Sequence, residues 1–279
     1  MIVNTHAHPF FRDWFPGEEE PSEEHDLPTS WVDTFEQVHD TEFSLPTYKE
    51  YWQHVTGAGV DKTVFFLRDM ETIDGEPPEN EWLVTFARQH DDVIPFFAID
   101  PNKGAQGAAS LRTALNEWGM QGAKIHPHWT ECFPDDEVAW PIYEAAVDHD
   151  IPILFHTGPG PLGTESEYTH PKHFEPILQA FPNIKLILAH FGGPWHEEVQ
   201  FLAWRYDGVY TDLAFHPRPY IEHLPWEYYE ETIQDSILLG SDFPLGDIAE
   251  RIECLRRLDI SEEFTQKILG GNAAELLSL

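Results

Sequence analysis

The sequence predicts an α/β protein: one domain over residues 1–279, built as a (β/α)8 barrel with a long acidic loop after its first strand. Three observations carry this expectation. Short apolar, β-rich runs recur at intervals of about 30 residues, helix-like stretches fill the intervals, and five of the runs end on a histidine or an aspartate. Strand and helix alternating at that period is the βα unit, and parallel strands covered on both faces read as continuous apolar runs. Eight such units make a closed barrel the economical solution, with an open doubly wound sheet as runner-up. No glycine-rich fingerprint follows the first run, which weighs against a dinucleotide-binding sheet.

The runs are IVNTHAH (2–8), KTVFFL (62–67), VIPFFAI (93–99), QGAKIH (121–126), IPILFH (151–156), IKLILAH (184–190), GVYTDL (208–213) and SILLGSD (236–242). From the second onward, their starts are 31, 28, 30, 33, 24 and 28 residues apart. Stretches such as ENEWLVTFARQH, GAASLRTALNEW, EVAWPIYEAAVDHD and HFEPILQAF supply the helices. The first interval is 60 residues, and the excess, residues 9–46, is rich in Glu, Asp, Pro and aromatics. A loop after a strand's C-terminal end overhangs the active face of a barrel, so 9–46 reads as a lid or substrate wall. A disordered acidic insertion is the alternative, opposed by Trp14, Trp31, Phe35 and Phe43.

Fifty Asp and Glu stand against 16 Lys and Arg, a formal net charge of −34. Such a surface repels nucleic acid and anionic membranes, which excludes both as expected partners. The acids are spread along the chain rather than gathered in a tail, the pattern of adaptation to high salt. At molar salt the Debye length shrinks to about 3 Å and self-repulsion is screened. Cys132 and Cys254 lie far apart and form no CxxC pair, so no thiolate metal site is expected and a reducing cytoplasm fits. Neither a secretory leader nor an apolar run of about 18 residues is read.

The chemistry gathers at strand ends, where barrel enzymes place functional side chains. Alternation puts His6 and His8 on one side of the first strand, so both reach one ion inside the mouth. His156, His190 and Asp242 each close an apolar run. Any one of them alone reads as a satisfied core residue; together they read as a site. Neutral imidazoles and a carboxylate without thiolates suit a catalytic zinc, manganese or iron(II) ion with a position open for water. In AKIHP, Lys124 and His126 share one face, and Ala123 and Ile125 the other. If the first face is interior, the Lys124 ammonium needs a partner or a shifted pKa. It can pair with a carboxylate such as Asp242, be carbamylated to bridge two metals, or form a salt bridge at the rim.

These residues resemble the amidohydrolase superfamily, and within it the amidohydrolase 2 branch of metal-dependent hydrolases with the TIM-barrel fold. The likeness spans essentially the whole chain through THAH, GAKIHP, LFHTG, LILAHFGG, LLGSDFP and the closing GNAAELL. It implies that His6, His8, His156 and Asp242 bind one divalent ion, zinc first, with His190 beside the metal-bound water. A second metal on carbamylated Lys124 is the lesser alternative. The family includes amide and lactone hydrolases, hydratases and non-oxidative decarboxylases. Two departures stand out. The seventh run continues VYTDLAFHPRP, where the family often has Ser or Gly after Asp-Leu, which marks His216 and Arg218 as substrate-specific. The fourth continues to a second HxH, His126 and His128, which leaves strict single-metal ligation open.

The expected reaction is hydrolysis of an amide, ester or lactone carbonyl of a small molecule. The metal lowers the pKa of bound water toward about 7, Asp242 moves the proton, and His190 orients the water or polarises the carbonyl. The alternative is non-oxidative decarboxylation of an aromatic or dienyl carboxylic acid; metal binding without catalysis is a third reading. Lys124, His126, His216, Arg218 and Trp14 are the substrate-binding candidates. Arg12 is a further source of positive charge, and Phe10 and Phe11 of ring stacking. A homodimer is the candidate assembly.

Overall fold

Eight strands form one parallel sheet in chain order: β1 (Val3–Ala7), β2 (Lys62–Phe66), β3 (Val93–Ala98), β4 (Gly122–Ile125), β5 (Pro152–Phe155), β6 (Lys185–Leu188), β7 (Val209–Asp212) and β8 (Ile237–Leu238). Each pairs in parallel with the next. Backbone hydrogen bonds from Thr5 N–H to Leu239 O, His8 N–H to Phe243 O and Asp242 N–H to His6 O bring the last strand back to the first. This is the predicted (β/α)8 barrel, seen in a computed structural model that describes residues 1–13, 44–160 and 164–279.

Alternation along the strands sorts the core into two layers. Val3, Val64, Phe66, Ile94, Phe96, Leu154, Ile187 and Leu238 share one apolar cluster. Their neighbours Phe65, Phe97, Ile153, Phe155, Leu186 and Leu188 belong to the larger cluster shared with the helices. This is the filled barrel, packed inside and sheathed outside. β1 breaks the alternation once: its register to β2 shifts between Asn4 and Ala7. Val3 below the shift belongs to the inner cluster and Ala7 above it to the outer one. His6 and His8 thereby take the inner side at the mouth, as predicted.

The helices fall where the sequence placed them, at Asn80–Ala87, Gly104–Thr113, Trp140–Asp148 and Phe174–Ala180. Helix Tyr48–Gly57 opens on a capping box, Thr47 and Glu50 each accepting the other's backbone N–H. The expected lid falls mostly outside the described residues, including Trp14, Trp31, Phe35 and Phe43. Of its described part, Phe11 is buried between Phe65, Phe86 and Phe243, so it is core and not a stacking surface for substrate. Arg12 faces Glu50 at 3.5 Å. Among the described residues, no helix is long and apolar enough to cross a membrane.

Candidate active site

Four strand ends converge on the inner mouth. The Nε2 atoms of His6 and His8 lie 3.2 and 3.4 Å from the same Asp242 oxygen. Two donors bound to one ion at about 2.0–2.1 Å, at a tetrahedral angle, sit about 3.4 Å apart. The donor set therefore fits a divalent cation of borderline softness. On its other side, the His6 ring places Nδ1 2.8 Å from Asp212 Oδ2. A carboxylate there takes the Nδ1–H, which fixes the tautomer and turns the Nε2 lone pair to the cavity. The second Asp212 oxygen accepts the backbone N–H groups of His190 and Ala214 at 2.9 and 3.0 Å.

His190 and His156 extend the same logic. His190 Nδ1 lies 3.2 Å from the Ala214 carbonyl, so it carries the proton and leaves Nε2 as an acceptor. His156 Nδ1 stands 3.2 Å from that Nε2, while His156 Nε2 is buried with no hydrogen-bond partner among the described residues. Distance alone groups His190 with His6 and Asp242, ligand atoms of all three falling within 4.8 Å of one another. Hydrogen bonding commits the His190 lone pair to His156 and leaves that of His156 Nε2 free. The hydrogen-bond pattern is the better guide, because a lone pair already accepting a proton is not available to an ion.

Burial and charge agree. Burial pushes His8 and His190 down to about 4 and His156 well below the usual imidazole value, so all three rings are neutral at neutral pH. For His6, burial opposes the charge, but Asp212 and then Asp242 outweigh it and raise the pKa. Asp242 is also penalised by burial, yet the His6 and His8 rings hold it ionised, well below the usual carboxylate range.

Lys124 is 1% exposed, so the face it shares with His126 is the interior one, which the sequence left open. The rim salt bridge is therefore excluded, and no direct pair with Asp242 forms. The ammonium lies 4.6 Å over the Phe66 ring with no hydrogen bond, and burial lowers its pKa to about 7 against the pull of Asp212 and Asp242.

Above this floor opens a cavity of about 370 Å³, walled by Trp129, Pro159, Phe215 and Leu245. His6, His8, His126, His156, His190, His216 and Asp242 all line it. The His216 imidazole is already committed, since its Nε2 donates to the His190 carbonyl. Arg218 does not line the cavity: it opens helix Arg218–Glu222, is 40% exposed, and pairs with Glu222 at 2.6 Å. Asp242 does not close a strand either, because β8 ends at Leu238 and Asp242 sits in a turn with φ 64°. Likewise the turn after β6 begins at His190 itself (φ 59°), before the glycines.

Asp212 and Trp129 were not singled out by sequence reasoning, and His128 was noted only as part of the second HxH. Asp212 carried a signal, since it ends β7 as His156 follows β5. His128 and Trp129 fall in the turn after β4, where alternation gives no guide.

Fold and site together define a barrel enzyme of the metal-dependent kind. The family profile described as amidohydrolase matches residues 46–279, and the chain belongs to that family, as the motifs implied. No curated protein matches it. Among solved structures, it is similar to an uncharacterized TIM-barrel protein from Bordetella bronchiseptica, with 21% identity, 99% and 98% of the two chains covered, and a TM-score of 0.77. It is similar to 5-carboxyvanillate decarboxylase from Sphingomonas paucimobilis, with 14% identity, 100% and 99% coverage, and a TM-score of 0.69. A third similar structure is dihydroxybenzoic acid decarboxylase from Polaromonas sp. JS666 with bound manganese and the inhibitor 2-nitroresorcinol, with 17% identity, 100% and 97% coverage, and a TM-score of 0.66. At these identities the likeness is one of fold.

Proposed function

We propose that this chain is a divalent-metal-dependent carboxy-lyase that removes carbon dioxide from a small aromatic carboxylic acid, the reading the sequence placed second to hydrolysis. The observation that carries it is the cavity: imidazoles and one carboxylate on the floor, and an apolar, ring-bearing wall above. At about 370 Å³ it suits a single substituted ring, near the lower end of small-molecule sites. The decarboxylases of the same fold support this choice over hydrolysis.

His6, His8, His156 and Asp242 would hold the ion, zinc or manganese by the nature of the donors. When bound, the ion supplies positive charge for the substrate carboxylate and an adjacent oxygen. The remaining work falls to the protein. Asp212 holds His6 in the tautomer that presents Nε2. Among the described residues Asp242 is the one carboxylate lining the cavity, and it is ionised, so it can take a proton from a substrate hydroxyl. It returns that proton to the ring carbon bearing the carboxylate. A C–H bond forms there, the C–C bond breaks, its electron pair restores the aromatic ring, and carbon dioxide leaves. His190, neutral and anchored to Ala214, accepts from His156 Nδ1 and so turns His156 Nε2 to the cavity. Trp129 and Phe215 hold the ring and exclude water.

The test is direct. Manganese-loaded and zinc-loaded protein are offered hydroxybenzoates and hydroxymethoxybenzoates, with carbon dioxide and residual acid both quantified. The expected result is one carbon dioxide per acid consumed, abolished by a chelator. Hydrolysis of aryl esters or lactones without carbon dioxide release would return the reading to the hydrolase.

A further inference from the structure

In a chain with 50 acidic and 16 basic residues, a lysine or arginine finds a carboxylate easily. Beside the cavity two basic side chains do not: the buried Lys124 ammonium has no hydrogen-bond partner among the described residues, and the Arg68 guanidinium lies against a ring rather than a carboxylate. Both stand against the same piece of the barrel. Lys124 ends in the interior below the cavity, and the Arg68 guanidinium lies 4.7 Å from the centre of the Trp129 ring. Trp129 belongs to the turn after β4, which also carries His128.

His128 is 4% exposed, and neither ring nitrogen has a hydrogen-bond partner among the described residues. It lines the cavity, packed between the rings of Trp129 at 4.6 Å and His156 at 4.2 Å. The loop after β5 presses on it so closely that a Cβ on Gly160 would lie 2.5 Å from the imidazole. The ring is thus held in place and cannot swing out to water. A buried imidazole without partners carries a desolvation cost that an apolar side chain in the same space avoids. Nor is it part of a second preformed cation cage. Only His6, His190 and Asp242 bring three ligand atoms together among the described residues.

We propose that His128, backed by Arg68 and Lys124, is a second anion subsite that takes a carboxylate on the substrate ring other than the one that leaves. The imidazole N–H donates to the carboxylate, Arg68 and the protonated form of Lys124 supply positive potential in a protein that otherwise repels anions, and the Trp129 ring carries the Arg68 guanidinium beside the cavity. The substrate class is an aromatic dicarboxylic acid. This identification of the substrate rests on the carboxy-lyase reading; the subsite itself does not.

The experiment is isothermal titration of the manganese-loaded protein with benzene-1,3-dicarboxylate and with benzoate. The dicarboxylate is expected to bind about tenfold tighter, the factor that ~1.4 kcal/mol supplies. In His128→Phe the ratio should fall to about one with the manganese content unchanged. In Arg68→Gln it should fall in part, which keeps the proposal open to refutation where the His128 variant does not fold. Equal affinities in the parent protein, a ratio that survives in either variant, or loss of one of two bound manganese ions in His128→Phe overturns the subsite. Tight dicarboxylate binding without carbon dioxide release from any acid would instead count against the carboxy-lyase reading alone.

Discussion

Asp212→Asn tests how the site is oriented, because it changes one proton pattern while keeping the side-chain shape. In the parent, one carboxylate oxygen faces His6 Nδ1 at 2.8 Å and the other accepts two backbone N–H groups. An asparagine oxygen can keep the backbone pair, but its amide then points N–H groups at His6 Nδ1. The imidazole must move its proton to Nε2, the atom facing Asp242 and the ion. Losing a hydrogen bond to a charged acceptor costs about 1.5–3 kcal/mol. Disturbing the partner of a liganding histidine lowers metal affinity about 10- to 100-fold. Urea midpoints of chelator-treated protein measure the first, and competition with a fluorescent chelator the second.

The pH dependence adds a sign to this expectation. Burial alone would raise the Asp212 pKa, but the His6 and His190 rings and the backbone donors hold it well below the usual value. A depressed carboxylate contributes stability that is fully present above the unfolded pKa, about 4, and is lost as pH falls toward the folded value. The stability gap between parent and variant should therefore be widest near neutrality and narrow below about pH 4. Unchanged midpoint and metal affinity, or a gap that widens in acid, would refute the role given to Asp212.

The net charge of −34 predicts that melting temperature rises from dilute buffer to molar potassium chloride; a flat or falling curve removes the high-salt reading. Burial, and then the Asp136 carboxylate, push the Cys132 thiol up to about 12, and burial also raises Cys254. Ellman's reagent at pH 8 should thus label neither in the native protein and both after unfolding. His190→Asn, which disturbs the acceptor of His156 Nδ1–H, should lower metal affinity about 10- to 100-fold in the fluorescent-chelator competition, and unchanged affinity would remove that role. Gly158→Ala should destabilise the fold by about 1–3 kcal/mol by thermal melt, since a Cβ at φ +83° would meet the Gly193 carbonyl oxygen at 2.5 Å.

The strands were legible because parallel strands buried on both faces leave an uninterrupted apolar signature, and a histidine follows the last residue of β5 by one position and of β6 by two. The shared face of His126 and Lys124 followed from alternation. What was not legible lies beyond the strand ends. Arg218 looked like a strand-end cation, but RPYIE places Glu222 one helical turn away, and that short-range pair takes the guanidinium. Asp242 was read as the end of a strand because apolar runs do not reveal where hydrogen bonding stops; Gly240 and Ser241 already carry the chain into its turn. The turn after β4 obeys no period, so the burial of His128 and its contact with Trp129 needed coordinates.

The turns also explain how the site keeps its shape. His190, Phe191, Phe215 and Asp242 all have positive φ, between 49° and 67°, and none is glycine. Such conformations cost about 1–3 kcal/mol each and persist only where the surroundings impose them. At His190, Asp212 accepts the backbone N–H, Ala214 accepts the ring proton, and His216 donates to the carbonyl. At Asp242, the backbone N–H is fixed by the His6 carbonyl, and at Phe215 by that of Ser241. Arg251, buried, donates in turn to the carbonyl of His216. Nearly all of these bonds join different βα units, so the strained residues are held from outside their own segments. The geometry of the candidate site therefore depends on β6, β7, β8 and β1 staying laced together. Loosening at any one of these ends releases His190 and Asp242 as a pair, and activity should fade with that local opening before the barrel itself unfolds.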